Sequence, residues 1–330
     1  MTTSRRTVLA AGASLAAASI GMPRWAGAQA PQRPVKIIIG FAAGGGTDAL
    51  ARALADALKP HFPAGVVVDN RTGASGRLAV QAVKGAEPDG TTLLFTPDFC
   101  LTVYPHTFSR LGYDPVADLA PVALAAKSGY VLSAGPMVPA TVKDAKDYLA
   151  LARSNPGMAS YGSSGAGTTL HFAGAMLEHA SGVKLTHVPY KGGALSLQDL
   201  MGGQIPVSIN AVGEVLPHLS GGRLRALATF GDKRNPFMPN APTMVESGFK
   251  DVVSEAWLGF FLPPRTPADI VARTAVAINQ VTSTQELRER FARFGMEPQT
   301  GNPRELAALI ATDTRRWEPV IKSIGFRAEE

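Results

Sequence analysis

From Val35 to Thr229, short β-branched runs alternate with amphipathic stretches, and this alternation constrains the fold more than any other feature of the sequence. Strands are expected at Val35–Gly40, Val66–Asp69, Thr92–Thr96, Met158–Gly162, Leu185–Val188, Ile205–Asn210 and Leu224–Thr229. Helices are expected between them at Asp48–Leu58, Arg77–Gly85, Val142–Arg153, Thr168–Ala180, Leu195–Met201 and Val212–Leu219. Strand followed by helix, repeated, predicts an α/β protein with parallel sheets, in which ligands sit beyond the carboxyl ends of the strands. The pattern loosens at Asp114–Leu119, after which Ala120–Ala126 and Tyr130–Ala134 read as strands with no long helix between them. It loosens again in the proline- and asparagine-rich stretch Asp232–Pro242. Beyond that lie a strand at Trp257–Leu262 and helices from Pro267, Gln285 and Pro303.

Two chain crossings, near residues 126–135 and 225–256, divide this pattern into a discontinuous first domain, 31–130 with 250–330, and an inserted second domain, 131–249. About 300 residues are enough for two such cores. Residues 1–30 are set apart as a leader. Arg5-Arg6 precede a weakly apolar run from Ala10 to Gly21, and Ala28-Gln29-Ala30 is a small-x-small cleavage site, so a twin-arginine export signal cleaved after Ala30 is expected. The run is shorter than the roughly 20 residues of a membrane span. Losing the leader's three arginines, Arg5, Arg6 and Arg24, takes the formal charge from +6 to +3, too mild for a nucleic-acid surface. The single cysteine, Cys100, allows no internal disulfide. A periplasmic monomer is expected.

Four strand-end loops carry the candidate chemistry. The first, Phe41 to Asp48, holds three consecutive glycines, Gly44, Gly45 and Gly46, before Thr47 and Asp48, either of which can cap the following helix. The second, Asn70 to Gly76, offers backbone amides around Ala74 and Gly76 and the hydroxyl of Ser75. The third, Tyr161 to Thr169, offers Ser163, Thr168 and Thr169, with His171 one turn into its helix. The fourth, His187 to Gly193, places Tyr190 to flank a ligand; Thr96 and Asn210 end other strands as single hydrogen-bonding candidates.

Enzyme templates fail on these loops. No Gly-x-Ser-x-Gly elbow surrounds Ser75, Ser163 or Ser164, and Gly165-Ala166-Gly167 lacks the third glycine of a dinucleotide fingerprint. The six histidines show no paired metal-ligand spacing, so neither a metal nor a cofactor is expected. What is left is a cleft of neutral amides, hydroxyls and helix N-termini, each terminus favouring an anion by about 0.3–1 kcal/mol. That composition suits binding and release.

At these same residues the chain resembles the extracytoplasmic solute receptors of tripartite tricarboxylate transporters, the Bug or TctC-like receptors. The resemblance is carried by Arg33-Pro34-Val35-Lys36-Ile37-Ile38 with Gly44-Gly45-Gly46-Thr47-Asp48, by Asp69-Asn70-Arg71 with Gly73-Ala74-Ser75-Gly76, and by Pro88-Asp89-Gly90-Thr91-Thr92-Leu93-Leu94. It continues through Tyr161-Gly162-Ser163-Ser164-Gly165, His187-Val188-Pro189-Tyr190-Lys191-Gly192-Gly193 and Gly222-Arg223-Leu224-Arg225-Ala226-Leu227-Ala228.

It implies a periplasmic binding protein fold of type II, two Rossmann-like lobes joined by a hinge with the ligand cleft between them. It further implies that a carboxylate is gripped by the loops matching Phe41–Asp48 and Gly73–Gly76, partly through ordered water, with second-domain contacts from the loop matching Ser163–Thr169. The expected role is capture of a small organic acid for a membrane permease. The rivals are presentation of the ligand to a sensor kinase and an enzyme on the same scaffold. Departures from the family occur at Gly40-Phe41-Ala42-Ala43-Gly44-Gly45, which lacks two loop prolines, and at Ser75, where glycine is usual. Monocarboxylates, dicarboxylates and uncharged relatives all stay open as ligands.

Overall fold

A computed structural model describes residues 33–44 and 46–328 of the chain. The expected leader, its cleavage site and Gly45 lie outside the described residues. In chain order the elements begin with β1 (Val35–Ile39), α1 (Gly46–Leu58), β2 (Val66–Asn70), α2 (Arg77–Lys84), β3 (Thr92–Pro97), the single turns α3 (Phe99–Thr102) and α4 (Tyr104–Thr107), and β4 (Ala120–Ala134). They continue with α5 (Ala145–Ser154), β5 (Ser160–Ser163), α6 (Thr169–Ser181), β6 (Thr186–Pro189), α7 (Gly193–Met201), β7 (Val207–Ala211), α8 (Val212–Leu219) and β8 (Arg225–Thr229). The last are β9 (Glu255–Leu262), α9 (Ala268–Thr282), α10 (Gln285–Ala292), β10 (Met296–Pro298) and α11 (Pro303–Ile324). No helix among the described residues is long and apolar enough to cross a membrane.

Local chemistry explains the boundaries. In β1 every residue but Lys36 is buried, as expected of an inner strand covered on both faces. Asp144 caps α5 by accepting the Asp147 N–H, Thr168 caps α6 by accepting the His171 N–H, and Asn302 with Glu305 forms a full capping box on α11.

The strands run in the order β2-β1-β3-β9-β4-β7-β5-β6, with β8 and β10 also paired to β4. The expected parallel pairing is present in two blocks, β2-β1-β3 and β7-β5-β6. Between them the expectation needs correction, because β4 pairs antiparallel with β7, β8, β9 and β10, and β9 pairs antiparallel with β3. The reason lies in β4. The two expected strands Ala120–Ala126 and Tyr130–Ala134 are one 15-residue strand, with no crossover helix to bring the chain back in parallel.

This strand belongs to both lobes. Ala120 to Gly129 pairs with β9, and Tyr130 to Ala134 pairs with β7 and β8. The returning chain crosses beside it, Phe230 donating its N–H to the Tyr130 carbonyl and Ser254 donating to the Phe230 carbonyl. Helix α11 spans both lobes on one side. His106 Nε2 lies 2.9 Å from the Thr314 carbonyl and Trp257 Nε1 donates to Asp313 Oδ2 on the first-lobe side, while Trp317 meets Phe172 of α6 in the second lobe. Apolar cores fill the space beneath these layers. One lies between β1, β3, β9 and helices α1 and α9, and a larger one runs under α6 and α11.

Candidate functional site

Where β1 and β2 end, their two loops touch backbone to backbone. A Cβ on Gly40 would stand 2.5 Å from the Gly76 Cα, so only a bare residue allows this approach. A buried carboxylate then locks the pair together. Asp48 accepts hydrogen bonds at 2.9 Å from the Gly44 N–H, from Arg52 Nε and from Asn70 Nδ2, and Asn70 Nδ2 also donates to the Phe41 carbonyl. The Arg52 hydrogen bond, helped by those of Gly44 and Asn70 and opposed by burial, holds the Asp48 carboxyl down at about 2. The carboxylate of Asp48 is thus engaged in fixing the glycine turn. Gly46 opens α1, and Thr47 is half-buried in its first turn.

The second loop is strained. Ala74 and Ser75 take φ values of 44° and 55°, left-handed backbone between Gly73 at 131° and Gly76 at 91°. For a residue with a side chain this conformation costs about 1–2 kcal/mol. Tyr104 Oη donates to the Ser75 carbonyl at 3.0 Å, and Arg77 Nε donates to the Ala74 carbonyl at 3.1 Å while its guanidinium lies 3.9 Å over the Phe108 ring. With its carbonyls held this way, the loop is exposed and the amides of Ala74 and Ser75 find no acceptor inside their single tight turn.

Across the gap, the second lobe offers a layered loop. Thr168 Oγ1 donates to the Gly165 carbonyl at 2.8 Å and accepts from the His171 N–H. Beneath it, fully buried Ser163 places Oγ 2.8 Å from His187 Nε2, and the Gly167 N–H donates to His171 Nδ1, which leaves the His171 proton on Nε2. The two imidazoles stack with centroids 4.0 Å apart. Burial lowers His171 to about 4, and burial together with His171 lowers His187 to about 3, so both are neutral at pH 7.

These parts enclose a cavity of about 650 Å³. Phe41, Ser75, Phe99, Tyr104, Thr107 and Phe108 line it from the first lobe; Ala166, Gly167 and Thr168 line it from the second; Phe326 to Ala328 complete it. The aromatic wall is continuous, Phe41 to Phe99 at 6.1 Å, Phe99 to Tyr104 at 5.4 Å and Tyr104 to Phe108 at 5.0 Å. A larger cavity of about 830 Å³ lies between α6, α11 and the 248–252 stretch, away from every strand-end loop.

Of the residues singled out from sequence, Phe41, Ser75 and Thr168 line the cavity, and Ala74 and Gly76 flank it in the strained loop. Ser163, Thr169 and His171 form the buried layer behind, with Thr169 Oγ1 2.6 Å from Tyr130 Oη. Three others are turned elsewhere. Tyr190 donates its hydroxyl to Asp199; Asn210, fully buried, bonds Ser208, the Gly193 carbonyl and Glu214; Thr96 is buried against the Cys100 thiol. Sequence reasoning passed over Phe99, Tyr104, Phe108 and the chain end. The aromatic spacing just after the strand at Thr92–Pro97 was the available signal.

Two α/β lobes joined through shared strands, with a cavity between them walled by strand-end loops, define a periplasmic binding protein fold, and the chain is a solute-binding receptor. It belongs to the tripartite tricarboxylate transporter receptor family, whose profile, described as "Tripartite tricarboxylate transporter family receptor", matches residues 50–326. A UPF0065 protein from the gbd region of Cupriavidus necator is 36% identical over 329 residues, 97% of this chain and 98% of that protein. The periplasmic binding protein BugD superimposes with a TM-score of 0.75 at 30% identity, covering 91% of this chain and all of that one. An R. palustris protein solved with adipate superimposes with a TM-score of 0.78 at 31% identity, covering 90% of this chain and 99% of that one.

Proposed function

We propose that the protein captures a small organic carboxylate in the periplasm and delivers it to the permease of a tripartite tricarboxylate system, without chemical change. The observation that carries this reading is the convergence, on one cavity, of Ser75, in the exposed turn after β2, and Thr168, the cap of α6. Amides and a helix start can hold an anion with no metal and no buried counter-charge. The adipate-bound relative supports a carboxylate, and the family supports the permease. A binder is favoured over an enzyme because Ser163, whose hydroxyl meets the His187 ring, is fully buried, and His187, lowered to about 3 by burial and by His171, is too weak a base to take its proton.

In this reading Phe41, Ala74, Ser75, Gly76 and Thr168 contact the ligand, residues 1–30 are removed on export, and the lobes 31–130 with 250–330 and 131–249 close on it. Closure bends β4 near Gly129 and the crossing at Phe230 and Ser254, and the closed state is what the permease reads. Residues 31–330, freed of ligand by unfolding and refolding, are to be heated with aliphatic, aromatic and amino-acid carboxylates and their uncharged analogues. A ligand at a hundredfold excess over its Kd adds about 2.7 kcal/mol, a clear rise in Tm. Stabilisation by one carboxylate class is expected; no rise with any acid overturns the assignment. For delivery, a strain lacking the permease genes is expected to lose uptake of the same acid, and undiminished uptake overturns that step.

A further inference from the structure

We infer that the chain end, Phe326 to Ala328, is a working wall of the ligand cavity, and that Arg327 sets the receptor's preference for acids bearing a second anionic group. The inference rests on the receptor reading above and names the ligand class within it.

The geometry begins where α11 stops. Gly325, at φ 67°, ends the helix in left-handed backbone and turns the chain back toward the cleft. Phe326 then packs edge-on against His171 and Phe172, each at 5.6 Å, and fills the space in front of Gly167, where a Cβ would stand 2.7 Å from its ring. Two residues on, the Ala328 N–H donates to the Thr107 carbonyl at 2.9 Å. Phe326 is therefore held by the second lobe and Ala328 by the first. Arg327, between them, lies where the chain passes from one lobe to the other.

Arg327, an exposed residue, is also the one charged residue among the described residues that line the cavity. The other walls supply rings, hydroxyls and amides, which can receive one carboxylate but give a second one no counter-charge when water is excluded. A guanidinium meets a carboxylate through two parallel N–H donors, so it distinguishes a diacid from a monoacid of equal length. The nearest alternative, Arg77, is already engaged with the Ala74 carbonyl and the Phe108 ring. Arg327 has no ion-pair partner among the described residues. Glu329 and Glu330, which follow it in the sequence, lie outside them, so the test must separate their charge from its own.

Ligand-free protein of residues 31–330 is to be titrated calorimetrically with length-matched pairs, hexanoate with adipate and butanoate with succinate. The expected result is a preference for one diacid over its partner monoacid of about tenfold or more. Arg327→Ala is expected to abolish that ratio and Arg327→Lys to retain part of it. A chain ending at Ala328 keeps the ratio or raises it, and Lys322→Ala, which removes a surface cation of α11, leaves it unchanged. Equal binding of mono- and diacids by the wild type, or a ratio that survives Arg327→Ala, overturns the inference and leaves the receptor reading standing. Failure of the wild type to bind any carboxylate, while still melting cooperatively, overturns the receptor reading and this inference with it.

Discussion

On the first-lobe rim of the cavity, Ala74 and Ser75 stand exposed in left-handed backbone, and the neighbouring turn is pinned by the charged pair Asp48–Arg52. On the second-lobe rim, Ala166 to Thr168 lie over a buried, neutral layer of Ser163, His171 and His187. One rim maintains strained donors with a salt bridge and borrowed side chains. The other maintains its shape with stacking and uncharged hydrogen bonds. The contrast teaches two ways of holding a cavity rim: in the first lobe the charges of Asp48 and Arg52 fix the loop's backbone from behind, and in the second lobe packed, uncharged groups do the same.

The contrast is broken most severely at Gly40. Gly40→Ala drives a methyl into the Gly76 backbone, and neither strand end can yield without releasing the loop pair, so a loss of about 3 kcal/mol is expected. Urea unfolding checks this, and a variant of unchanged midpoint would show that the loops are not locked together. Asp48→Asn comes next, with about 2 kcal/mol lost at pH 7, because a buried amide nitrogen replaces one of the two oxygens that accept from the Gly44 N–H, Arg52 and Asn70.

Acid titration then sharpens the comparison, because the two rims are expected to weaken in different ranges. The histidines bind protons more readily in the unfolded chain, at the ordinary 6.5, than in the fold, at about 4 and about 3. Their contribution is therefore full above pH 6.5 and is lost as the pH falls toward 4. Asp48, held at about 2 against an ordinary 3.8, contributes fully above 3.8 and fades only as the pH falls toward 2. His187→Gln should flatten the upper part of the stability profile and Asp48→Asn the lower part; melting curves across this range decide. The smallest effect is expected at Ser75. Ser75→Gly relieves a left-handed side chain and gains up to about 1 kcal/mol, while loosening the amides and weakening carboxylate binding. A variant that is stabilised and also binds more tightly would show that the strain has no functional part.

Much of this was legible in the sequence because it depends on neighbours a few residues apart. The starts of β1, β2 and β3, a helix opening at Thr168 beside the observed start of α6, and the extent of α8 follow from apolar periodicity. Thr47 and Asp48 signal a helix start in the sequence, yet the engagement of Asp48 depends on Asn70, which only sheet pairing brings within reach. Tyr190 and Asn210 stand at strand ends as sequence logic expects, but each meets a nearby carboxylate, Asp199 or Glu214, instead of the cavity. β4 read as two strands because Ser128-Gly129 interrupts an apolar run, whereas cross-strand partners on both sides carry it through as one. Phe326 and Arg327 follow the last helix with no periodic signal, and a bend at Gly325 aims them.

The position of β9 bears on how the chain comes to be made. It lies between β3 and β4 in the sheet, yet it is drawn from residues 255–262, after every strand of the second lobe has been synthesised. The first lobe is thus begun first and completed last. A nascent chain that has not reached Glu255 presents β3 and part of β4 as open edges, which invite pairing with other chains. Non-local closure of this kind is also slow. A growing or truncated polypeptide of this design would depend on holdase protection until its final quarter emerges, and fragments ending before β9 would be expected to aggregate while the intact chain stays in solution.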